Sequence, residues 1–296
     1  ACDAVAYRAN GSKSYEGLAQ LGLARSLLRD GHKREAVEVA TANRDLIVGI
    51  KVRLGRWASG IHGMVPFEYA LQVAEAAGMP MMVHIDDPPP SYVEVVERLR
   101  KGDVLTHCFR PFPNTPTTSD RRVRPEVLAA RQRGVFFDIG HGMGSFSFKV
   151  ARIMLENGFY PDTISSDVHA LCINGPAFDQ VTTLSKFLHL GMPFSEVIRA
   201  STQNAALALS RPELGSLRPG SVGDAAILSL DEGRFEFVDT VGEKVTGERK
   251  INVRGVVLSG KWWHSAGSLC SGSRANSPGA MMIGFWRQAR PSARCV

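Results

Sequence analysis

Between residues 45 and 209 the chain repeats one pattern: a short β-branched or apolar run, then a longer amphipathic stretch. The apolar runs at 45–52, 80–85, 104–109, 134–139 and 163–167 read as strands. The intervening stretches at 66–77, 91–100, 124–133, 146–157 and 177–190 carry helical periodicity. Upstream, 14–29 and 32–42 also read as helices. Strands that alternate with helices predict βαβ units and a parallel sheet, an α/β fold. A closed (β/α)8 barrel of TIM type needs eight strands and five are legible, so the remainder are sought toward the N-terminus.

Past residue 209 the texture changes. Leu214-Gly215-Ser216-Leu217-Arg218-Pro219-Gly220 is rich in turn formers, and 224–230, 234–238 and 252–258 then read as strands. The pattern divides the chain into a barrel portion (1–212), a small β-sandwich segment (213–264) and a tail (265–296). The tail is rich in Ser, Gly, Ala and Arg and is expected to be disordered or foreign to the fold. No apolar run reaches the roughly 18 residues of a membrane span. The opening Ala1-Cys2-Asp3-Ala4 lacks a methionine and the layout of a signal peptide, so the chain is expected to begin in mid-protein.

Composition narrows the function classes without choosing among them. Apolar residues at 44% and charged residues at 22% are ordinary for a globular protein. The net charge of +6 is spread into Arg-rich turns such as Arg121-Arg122-Val123-Arg124, with no basic stripe interleaved with aromatics. Nucleic-acid and membrane partners are therefore not expected, and a small-molecule substrate and self-association remain. Five scattered cysteines without a C-x-x-C form no disulfide framework and predict a reducing, cytoplasmic setting.

The chemistry sits at the strand ends. Lys51 lies inside Leu46-Ile47-Val48-Gly49-Ile50-Lys51-Val52-Arg53, where a bare ammonium is costly to bury. His84, His107 and Asp167 close the next runs, Met81-Met82-Val83-His84, Val104-Leu105-Thr106-His107 and Thr163-Ile164-Ser165-Ser166-Asp167. A lysine carbamate is an anionic bidentate ligand that could bridge two cations. Imidazoles suit zinc or a similar metal. Asp167 could bind a metal and take a proton from the attacking water as general base. Arg53 shares the face of Lys51 and could hold a substrate carboxylate. His141, between Gly140 and Gly142, and His169, two positions past Asp167, are candidate substrate contacts. Cys108 should point away from His107, into the core.

These stretches, with Phe137-Asp138-Ile139-Gly140-His141-Gly142 and Gly215-Ser216-Leu217-Arg218-Pro219-Gly220 followed by Asp224, resemble the amidohydrolase superfamily, most nearly its dihydroorotase-like deacetylase members. The resemblance is good over 50–264, poor over 1–49 and absent beyond. It implies a (β/α)8 barrel with two divalent metal ions, of zinc type, bridged by carbamylated Lys51. His84 and His107 would hold one metal; Asp167 would hold the other and act as base. It further implies hydrolysis of an amide or ester in a small acylated, carboxylate-bearing compound. A cyclic amide is the alternative substrate. The family's first-strand His-x-His has no counterpart here, which also admits a catalytically inactive barrel with a structural or partner role.

Overall fold

The computed structural model describes residues 2–6, 32–263 and 281–283. The predicted helix at 14–29 lies outside them. Four parallel strands build the main sheet: β2 (Ile47–Leu54), β3 (Met81–Ile85), β4 (Val104–Thr106) and β5 (Phe136–Phe137). At the β2 edge, β1 (Cys2–Ala6) adds antiparallel. Nothing in the sequence pattern announced that strand.

Helices follow the strands as the periodicity predicts. They are α1 (Lys33–Ala42), α2 (Val65–Ala77), α3 (Tyr92–Arg98), α4 (Pro125–Gln132), α5 (Phe148–Glu156) and α6 (Gln180–His189). Four of these starts have a clear local cause. Pro66 and Pro125 open α2 and α4, where a missing N–H costs nothing. Ser91 and Glu94 form a capping box on α3, and Asp179 caps α6. Two further short helices, α7 (Phe194–Ser201) and α8 (Gln203–Ala208), were not anticipated.

Register decides which residues face the helices and which face the open side. Val52, Val83, Leu105 and Phe137 are lateral neighbours, and all four are 0% exposed. This row forms the floor of the core. The alternate row places Arg53, His84 and Thr106 side by side on the other face.

The sequence overstated the strands toward the C-terminal side of this sheet. The run at 134–139 keeps only two strand residues, and 163–167 forms no strand. It joins the sheet edge through one parallel bridge, Asp138 to Thr163. Backbone bonds from Ile139 to Thr163, His141 to Ser165 and Gly142 to Ser166 continue the contact. The described strands thus form an open arc of α/β-barrel wall.

The second sheet is antiparallel: β6 (Ala225–Val238), β7 (Lys244–Leu258), β8 (Lys261–Trp263) and β9 (Met281–Ile283), in the order β8-β7-β6-β9. The two strands expected at 224–230 and 234–238 are one strand, bent by register shifts at Ile227/Leu228 and Glu232/Phe235. Of the tail, only residues 281–283 are among those described. Met281–Ile283 pairs with Ala226–Leu228 along the β6 edge, so this piece belongs to the sheet. Among the described residues no helix is long and apolar enough to cross a membrane.

Candidate functional site

A cleft of about 400 Å³ opens at the carboxyl ends of the parallel strands, lined by Lys51, Arg53, Met82, Thr106, His107, Asp138, Gly140, Ser165 and Asp167 among others. A larger groove of about 980 Å³ lies elsewhere, around Phe112, Arg124 and Lys149, and carries none of the strand-end candidates. The smaller cleft is where the chemistry collects.

Lys51 and Arg53 reach this face because alternate positions of β2 point to it, while Val52 and Leu54 point to the core. His84 follows the same parity on β3. His107 does not: Thr106, not His107, is the residue in lateral register with His84. His107 joins the cleft because β4 ends there and its φ of 67° turns the backbone into the left-handed region. Asp167 does the same with φ of 43°. Left-handed backbone at two non-glycine residues is stored strain, held by the surroundings.

The glycines around His141 make room for both turns. A Cβ on Gly140 would fall 2.3 Å from Thr106 Oγ1 and 2.8 Å from His107 Nδ1, and one on Gly142 would fall 2.9 Å from Asp167 Oδ2. Both glycines also have positive φ.

The two imidazoles meet edge to face, with centroids 4.4 Å apart. His107 Nδ1 lies 2.7 Å from the Gly140 carbonyl; as a carbonyl only accepts, Nδ1 carries the proton and Nε2 keeps its lone pair. Burial holds both rings neutral. It lowers the His84 pKa against the opposing pull of Asp86, and lowers that of His107 well below normal, helped by the repulsion it would meet from a protonated His84 and from Lys51.

Sequence reasoning missed Asp138. Its carboxylate is buried and accepts hydroxyl bonds from Thr106 (2.6 Å), Thr163 (2.6 Å) and Ser165 (2.8 Å). Burial raises its pKa, while the three hydroxyls and the Lys51 charge pull the other way. The signal was available: Asp138 and Thr106 occupy adjacent positions of the cleft-facing row, visible once the register of β4 and β5 is known.

Two proposed substrate contacts stand apart from the cleft. His141 is fully buried, with Nδ1 3.0 Å from the Gly142 carbonyl and Nε2 2.7 Å from Lys186 Nζ. Both ring nitrogens are therefore used inside the protein. His169 does not share a face with Asp167, because no strand continues past 167. Its Nδ1 instead accepts from the Leu171 amide at 3.3 Å. Cys108 is buried as expected, and burial raises its thiol pKa well above normal.

Among the described residues, no three His, Cys, Asp or Glu side chains cluster closely enough to hold a metal by themselves. His84 and His107 are imidazoles, a residue type that suits zinc.

Comparison with known proteins follows the same residues. Positions 66–263 match the model of the amidohydrolase family. This chain belongs to that family. It is 37% identical over 222 residues to a Brucella anthropi protein named deacetylase, covering 75% of this chain and 55% of that one. It is 35% identical to an Agrobacterium fabrum deacetylase, covering 75% and 54%. The amidohydrolase chain thus spans just over half the length of these relatives. Among solved structures it is similar to an adenine deaminase (TM-score 0.76, 30% identity, 79% of this chain and 64% of that one). It is likewise similar to a dihydroorotase (TM-score 0.71, 33% identity, 78% and 60%). These likenesses place the α/β arc among the barrels of the amidohydrolase family.

Proposed function

We propose that this chain carries one side of a metal-dependent hydrolase site that cleaves an amide or ester bond in a small acylated, carboxylate-bearing compound. Deacetylation of an N-acyl amino acid or a related ester is the preferred case. One observation carries this reading: Lys51, Arg53, His107 and Asp167 converge on a single cleft, with His84 against His107, in a chain similar to deacetylases over three-quarters of its length.

His84 and His107 would hold one cation and Asp167 a second, with carbamylated Lys51 between them. Divalent cations supply Lewis-acid polarisation of the scissile carbonyl and a more acidic water. The chain's own groups do the rest. Asp167, exposed at the mouth, takes the proton of the attacking water and returns it to the leaving nitrogen or oxygen. Arg53, exposed on the cleft face, offers a fork of donors to a substrate carboxylate. Asp138 fixes the hydroxyls of Thr106 and Ser165 beside the two turns. The partner is a small molecule, in a cytoplasmic setting that suits the buried free thiols of Cys108 and Cys172. The similarity to a dihydroorotase supports a second reading, a cyclic amide as substrate.

The test uses full-length protein prepared with zinc and bicarbonate. Metal per chain is measured by elemental analysis, and hydrolysis is followed on N-acetyl amino acids and on a cyclic amide. Two metals and acetate release are expected. Lys51→Ala should lose at least one metal and the activity together; unchanged metal content in that variant would sink the assignment. Turnover of the cyclic amide alone would select the second reading.

A further inference from the structure

Lys186 is fully buried on α6, and none of the chemistry above uses it. A buried lysine needs a reason, because an unpaired ammonium in the interior is costly. Its Nζ has three partners: His141 Nε2 at 2.7 Å, the Pro176 carbonyl at 2.7 Å and the Val238 carbonyl at 2.8 Å. An ammonium has three protons, so the three acceptors satisfy it completely. The bond from His141 Nδ1 to the Gly142 carbonyl fixes the ring as the Nδ1–H tautomer, which frees Nε2 to accept from lysine. Phe146 stacks on the same ring at 4.8 Å and holds its plane.

The three acceptors lie on three separate segments. Val238 ends β6 of the antiparallel sheet. Pro176 lies in the loop that follows Asp167. His141 belongs to the 140–142 turn, and that turn touches both strained residues of the cleft. Its Gly140 carbonyl accepts the Nδ1 proton of His107, and Gly142 lies directly against the Asp167 carboxylate. The amides of His141 and Gly142 bond to the carbonyls of Ser165 and Ser166, just ahead of Asp167.

We propose that Lys186 is a positioning residue for the cleft: its buried ammonium ties the 140–142 turn, the loop after Asp167 and the antiparallel sheet into one unit, and so sets the orientation of His107 and Asp167. This rests on reading the cleft as the reactive site. The charged groups that face the ammonium are Asp239 and Asp179, and its titratable neighbour is His141. Burial lowers the Lys186 pKa to about 7, against the upward pull of the two aspartates. A neutral amine has two protons for three acceptors, so the tie weakens as the proton leaves.

The experiment reads His107, which Lys186 does not touch. In uniformly 15N-labelled full-length protein, the Nδ1 proton of His107 reports the bond to Gly140. Lys186→Met keeps the apolar stem and removes the charge. The expected result is an upfield shift of that proton and about tenfold faster exchange, with the amides of Val83 and Leu105 unchanged. A folded Lys186→Met with a parent-like His107 signal overturns the proposal. Should the variant not fold, His141→Phe removes one acceptor and leaves Lys186 its two carbonyls. The His107 proton should again move upfield, and a folded variant with a parent-like signal overturns the proposal equally. No substrate enters these measurements, so their failure and a failure of the hydrolysis assay are separate outcomes.

Discussion

The two sheets of this protein are buried differently. In the parallel sheet both faces are committed: one holds the Val52, Val83, Leu105, Phe137 row at zero exposure, and the other carries Arg53, His84 and Thr106 beside the cleft. In the antiparallel sheet burial varies along the strands: Phe237 and Ile251 are buried, whereas Val253 is 47% exposed and Trp263 51% exposed. Strands buried by crossover helices leave only their carboxyl ends open, so chemistry gathers there. The long hairpin of β6 and β7 has no such end beside the candidate ligands. Its contribution to the site is indirect, through the Val238 carbonyl on Lys186 and the Asp239 carboxylate that accepts from the Phe148 amide.

That contrast can be broken most severely at the cleft mouth. In full-length protein, Asp167→Asn should lower kcat by about 10²–10⁴-fold, the range of general acid–base catalysis. Its melting midpoint should stay near the parent's, because Asp167 is exposed. A variant that kept parent activity would remove Asp167 from the reaction.

The core row is the next largest effect. Phe137→Ala empties a buried aromatic site and should cost about 3–5 kcal/mol in denaturant unfolding. Val253→Ser, at an exposed position of β7, should stay within about 0.5 kcal/mol. Equal costs at the two positions would mean that the sheets do not differ as described.

A smaller effect is expected in acid. Burial, with the Lys186 charge, lowers the His141 pKa from 6.5 to about 3. Between those values the unfolded chain binds the proton and the folded chain does not. Stability from this group is therefore complete above pH 6.5 and is lost as pH falls toward about 3. Urea unfolding at stepped pH should show this slope in the parent. It should be shallower in His141→Gln, which can still accept from Lys186 but does not titrate. Parallel slopes would place the acid loss on other groups.

Much of the site could be read from residue order. The apolar run around Lys51 and the runs ending at His84 and His107 mark strand ends because period-two burial is local chemistry. Other signals were weaker. The run at 163–167 read as a strand, whereas one bridge and a left-handed Asp167 end the pairing before His169. The glycines beside His141 suggested a substrate contact, and its ring nitrogens meet Gly142 and Lys186. Composition set the tail outside the fold, and of the tail 281–283 pairs with the edge of β6.

The sequence alone determined the α/β alternation, the strands that carry Lys51 and His84 and the one that ends before His107, and the family motifs around them. Those depend on neighbours within a few positions. Only the tertiary structure decided that Asp138 sits among three hydroxyls, that Gly140 and Gly142 make room for two strained turns, and that Lys186 finds three acceptors. Each of these depends on groups from at least two elements far apart in the chain. Their cost or benefit exists only once packing has excluded water and left each buried donor to find its acceptor.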